Sequence, residues 1–135
     1  MKCFIDANVI LRFLLSDDAL YFNKSVLIFE AIAEGKFSGY VNSLVIHEVL
    51  YVAIYVYKQD KKTLTEKLIK LIRLNNVDIL DISKEDMLEV LSLFSKSKVD
   101  FPDLVYAKIC QNNNMSVFSF DRHFNKLSVN RLESI

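Results

Sequence analysis

Four acidic residues far apart in the chain, Asp6, Glu48, Asp103 and Asp121, each stand where their neighbours predict the carboxyl end of a strand or the first turns of a helix. In a parallel sheet flanked by helices, ligands bind in the crevice beyond the carboxyl ends of the strands, so carboxylates delivered there from distant segments can meet. Four carboxylates in one crevice repel one another. A hard divalent cation such as Mg²⁺ or Mn²⁺ offsets that repulsion, takes oxygen ligands and activates water for attack on phosphate. The chemistry this pattern suits is metal-assisted hydrolysis of a phosphodiester.

Each acid also has a plainer reading. Asp6 leaves the apolar run Cys3–Ile5 and could cap the next helical turn, with Asn8 orienting it or serving as a turn residue. Glu48 lies among Leu44, Val45, Tyr51 and Val52 at helical spacing, an acid set into an apolar face. Such a carboxylate takes up a proton unless a cation or a basic partner holds its charge, so a Lys or Arg from elsewhere is the alternative to a metal. Asp100 and Asp103 open a helix, where acids suit the positive helix end; Asp100 is either its cap or a further ligand. Asp121 follows Val117–Phe120 and repeats the strand-exit logic of Asp6. His47 reads as a surface or packing residue and His123 as a loop residue.

These residues must be positioned by alternating strands and helices. Strands are expected at Cys3–Ile5, Gly39–Val41, Val77–Leu80 and Ser116–Phe120, the first buried on both faces. Helices are expected after Asp17 or Asp18 with Gly35 as stop, after Asn42 or Ser43 to about Tyr57, from the capping-box pattern Thr63–Glu66, from Ser83–Asp86, and from Asp100. The first long helix presents Leu20, Val26, Leu27, Phe29, Ala31 and Ile32 as an approximate apolar face. The order implies a three-layer α/β/α sandwich with a mostly parallel central sheet, one domain over residues 1–135.

Composition agrees. The 135 residues are 52% hydrophobic with two Gly and one Pro, which favours packed elements over linker. Cys3 and Cys110 give no disulfide framework or zinc spacing and read as packing residues. No apolar stretch is long enough to span a bilayer, and Asp6 interrupts any signal-type segment, so a cytoplasmic location is expected. Formal net charge is zero, so nucleic acid would be held by local patches: Lys58, Lys61 and Lys62, or Arg12, Lys108, Arg122 and Lys126.

Four segments resemble the motifs of PIN-domain ribonucleases, above all the small VapC-type toxins: Phe4–Leu11 with its D-x-N, Ser43–Leu50 with its helical Glu, Asp100–Ala107, and Val117–Phe124. They fall in the expected order and span nearly the whole chain. Pro102 and Leu104 depart from the small residues more usual beside the third acid. The resemblance implies Mg²⁺- or Mn²⁺-dependent cleavage of RNA, with Asp6, Glu48, Asp103 and Asp121 holding the metal and Asp100 either joining them or capping the helix. It implies that Asn8 and Ser119 orient ligands and water; of the local basic patches, Arg12, Lys108 and Arg122 are the expected RNA contacts. It also implies a VapB-like antitoxin and a homodimer, for which the region Val52–Tyr57 with Tyr51 and Tyr55 offers apolar surface. An RNA-processing nuclease without an antitoxin, a phosphatase with Asp6 as nucleophile, and a non-catalytic RNA- or protein-binding PIN-like module are the alternatives. The phosphatase reading is weakened because Asn8 stands where a second Asp is wanted.

Overall fold

Apolar runs and amphipathic segments alternate along the chain, and in the computed structural model, which describes residues 1–134, they fold as parallel strands joined by helical crossovers. Strands β1 (Lys2–Phe4), β2 (Ser38–Val41) and β3 (Val77–Ile79) pair in that order, all parallel. Helices α1 (Ala7–Leu15) and α2 (Ala19–Ala33) make the first crossover. Helix α3 (Ser43–Tyr51), its π-helical continuation Val52–Val56 and α4 (Lys61–Ile72) make the second. Helices α5 (Lys84–Lys96) and α6 (Phe101–Asn112) lead to β4 (Val117–Phe118), a 3₁₀ turn at Arg122–Lys126 and β5 (Arg131–Leu132). Strands β4 and β5 form their own parallel ladder, which among the described residues shares no pairing with the other three. The expected α/β fold with a parallel sheet is therefore present, in two ladders, and β5 is an addition to the four expected strands.

The helix ends follow local chemistry. Asp18 accepts from the Tyr21 N–H at 3.1 Å, Asn42 from Val45 at 3.0 Å and Ser83 from Asp86 at 3.0 Å, each satisfying a donor that the first helical turn leaves open. Gly35, at φ 82°, ends α2 in the left-handed conformation, and the Lys36 N–H reaches back to the Ala31 carbonyl. The expected Thr63–Glu66 box does not open α4. Asp60 does so three residues earlier, accepting from both the backbone N–H and the hydroxyl of Thr63, which places Thr63 inside the first turn rather than at its cap.

Ile10, Ile32, Ile46, Leu50, Leu68, Met87 and Leu91 form the centre of the core. Gly39 on β2 lies between Ile5 and Ile32, and a Cβ there would come within 2.7 and 2.9 Å of their Cδ1 atoms. Three burial expectations are corrected. As an edge strand β1 leaves Phe4 55% exposed rather than buried on both faces, and Cys3 is half-buried. Helix α2 inserts Ser25, Phe29 and Ile32 but leaves Leu20 and Leu27 outside, because its contact is a narrow stripe against α1.

Candidate metal centre

Two of the four acids meet. Asp103, in the first turn of α6, and Asp121, at the exit of β4, lie together with His123, offering three ligand atoms within 4.8 Å of one another. Ligands on opposite sides of one octahedral Mg²⁺ stand about 4.2 Å apart, so the three need only small movement to share an ion. Two carboxylate oxygens suit Mg²⁺ or Mn²⁺, and the imidazole nitrogen adds a donor that Mn²⁺ accepts more readily.

The segment after β4 is tied down locally. The Ser119 hydroxyl accepts from the Asp121 N–H at 3.0 Å, while the Ser119 carbonyl accepts from Arg131 at 2.9 Å and its N–H donates to Leu132 at 3.0 Å. Ser119 thus holds the backbone of Asp121. Asp121 Oδ1 accepts the His123 N–H at 2.8 Å and lies 3.2 Å from the ring Nδ1. Buried Phe124, with Leu127 and a 2.6 Å bond from Gln111 to the Leu127 carbonyl, seats this turn against α6.

Burial raises the pKa of Asp103 above its ordinary 3.8, and the carboxylates of Asp121 and Asp100 raise it further, while His123 acts in the opposite sense. The charge on Asp103 is therefore under-compensated in the protein alone, which is the condition a cation relieves. Asp100 is the residue before α6, yet its side chain makes no capping bond; its carboxylate instead borders a concavity with His47, Tyr51, Tyr55 and Phe101.

The other expected residues do not belong to this group of three. Asp6 and Glu48 are exposed and lie outside the group of three. The apolar neighbours of Glu48 do not bury it, because Leu44 and Tyr51 face solvent themselves. Asn8 borders a shallow groove with Arg12, Tyr21 and Lys24. Arg12 is paired with Asp17 at 3.3 Å and Lys108 with Glu89 at 2.6 Å, whereas Arg122 is exposed beside Asp121. Lys61 is held over the Phe94 ring at 4.2 Å and donates to the Ser97 carbonyl at 2.7 Å. A groove of about 500 Å³ has His123 in its lining, together with Lys126 and Lys98. His123 was read only as a loop residue, and Lys98 was not singled out from sequence. The signal for His123 was its position two residues beyond a strand-exit acid, the reach at which an N-terminal carboxylate captures a turn.

An α/β fold with an acidic group at strand and helix ends defines a nuclease-type domain. Residues 3–130 match the PIN domain family, and the chain belongs to it. Comparison with curated proteins and with solved structures gave no match. No helix among the described residues is long and apolar enough to cross a membrane.

Proposed function

We propose that this protein is a metal-dependent endoribonuclease of the VapC type, hydrolysing RNA phosphodiesters. The convergence of Asp103, Asp121 and His123 in a PIN-domain chain carries this reading. Asp103, Asp121 and His123 would hold Mg²⁺ or Mn²⁺, and the motif resemblance adds Asp6, after β1, and Glu48, on α3, as further acids that would act through water or after a small movement. When bound, the cation supplies Lewis acidity, making water a better nucleophile and neutralising charge on phosphate oxygens. The chain itself has three tasks. Ser119 fixes the Asp121 backbone, His123 braces the Asp121 carboxylate, and Lys98 and Lys126 attract phosphates into the adjoining groove.

The four motifs also support a toxin restrained by a VapB-like antitoxin, with a second copy of the chain as a further partner. Exposed Leu20, Tyr21, Leu27 and Ile28 on α2 offer apolar surface for a partner segment. The test incubates purified protein with a mixed RNA pool in Mg²⁺ or Mn²⁺ and in chelator, beside Asp103→Asn and Asp6→Asn. Cleavage that requires both the metal and Asp103 is expected. Cleavage persisting in chelator or in Asp103→Asn rejects the site.

A further inference from the structure

We propose that the concavity beside Asp100 is a nucleobase subsite, seating one unpaired base of single-stranded RNA against Tyr51 and Tyr55; this rests on the ribonuclease reading above. The concavity, about 430 Å³, lies within the range of small-ligand sites, roughly 300–1,000 Å³. Its wall is a run of rings. His47, Tyr51 and Tyr55 follow at four-residue steps, with centroids 6.4 and 5.6 Å apart, and His47 stacks on Phe101 at 6.2 Å with the planes 8° from parallel. In a regular α-helix each fourth residue is displaced by about 40° around the axis. The π-helical turn that begins at Val52 is wider and rotates less per residue, which turns Tyr55 back toward the line of His47 instead of adding a second displacement of the same sense. The backbone irregularity therefore keeps three rings on one face, and Tyr51 and Tyr55 remain half exposed there.

Such a wall matches the flat faces of a nucleobase, and its polar edge matches the base edge. The Asp100 carboxylate, unused by capping, accepts N–H donors and repels phosphate. Three residues along, Asp103 belongs to the candidate metal group, and His123 of that group also lines the groove of Lys98 and Lys126. A single strand crossing the start of α6 would thus place a base on the rings, the scissile phosphate at the carboxylates and a neighbouring phosphate at the lysines. Duplex RNA cannot offer an unstacked base to this wall. A second copy of the chain fits it less well, since a two-fold interface is self-complementary and a concavity needs a protrusion within the same patch.

The test uses the whole protein in chelator, so that RNA is not cut, with short unstructured RNA oligonucleotides carrying 2-aminopurine at successive positions. Binding is followed by anisotropy and stacking by quenching of the 2-aminopurine. Tyr51→Ala and Tyr55→Ala are expected to weaken binding at least about fivefold and abolish the quench. Tyr51→Phe and Tyr55→Phe keep both, and duplex RNA of the same sequence gives no quench. The proposal is overturned if wild-type protein binds without quenching or does not bind, or if the alanine variants bind and quench like wild type. It is equally overturned if wild type is a dimer that Tyr55→Ala converts to monomer, which assigns the face to a second copy. Metal-dependent cleavage is measured on the same proteins. Quenching without any cleavage removes the nuclease reading and leaves the subsite, whereas cleavage without quenching removes the subsite alone.

Discussion

Asp103 is where opposing effects can be ranked. The start of α6 favours its negative charge by a few tenths to about 1 kcal/mol, yet burial and the carboxylates of Asp121 and Asp100 act against the charge and prevail, since the pKa is raised. The sign of the pH dependence follows. With the folded pKa above 3.8, the metal-free native state binds more protons than the unfolded chain between 3.8 and the raised value, so stability falls as pH rises through that window. In chelator, Asp103→Asn is expected to withstand urea better than wild type at pH 7, the gain shrinking as pH falls toward 3.8. A gain that persists at low pH would assign the effect to packing instead. Added Mn²⁺ should reverse the order, raising the melting temperature of wild type and leaving Asp103→Asn and Asp121→Asn unmoved. At this scale the sequence was readable for acids at element ends and blind to His123. Its ring returns to Asp121 through a two-residue turn that neither helical nor strand periodicity describes.

At the scale of elements, β2 is held in place by what Gly39 lacks. Ile5 and Ile32 close over it, so Gly39→Ala forces two buried Cδ1 atoms to move, at a cost of about 1–3 kcal/mol by chemical denaturation. Because Ile5→Val removes one of those atoms, the double variant should lose less than the sum of the singles; simple additivity would contradict the contact. Ile5 immediately precedes Asp6, so the same overpacking reaches the exit of β1. Most elements were legible because their punctuation is local: Asp18, Asn42, Ser83 and Gly35 act within their own turns. What escaped depends on partners distant in sequence. β1 is an apolar run that became an edge, β5 is only two residues long, and the acid-bearing face of α3 turned outward although its spacing is regular.

For the molecule as a whole, zero net charge limits long-range attraction of RNA, so the proposed binding depends on local charge such as that of Lys98 and Lys126 in their groove. Each phosphate neutralised on a single strand contributes about 0.7 to the slope of log K against log salt, so a shallow slope of about −1 to −3 is expected. Lys98→Ala with Lys126→Ala should flatten it further, and a steep slope unaffected by both would place the phosphate contacts elsewhere. The two ladders carry a consequence for heat. Asp103 stands on a helix packed into the main core, but Asp121 and His123 ride on the short terminal ladder, whose described anchorage is Phe124, Leu127, the Gln111 bond and half-buried valines. Segments with few buried contacts open at lower free energy than the protein unfolds. Amides of residues 117–132 should therefore exchange with deuterium faster than those of β2 and α5. On warming, the cleavage proposed above should fade while the circular dichroism of the helices is still intact, the site failing before the fold melts.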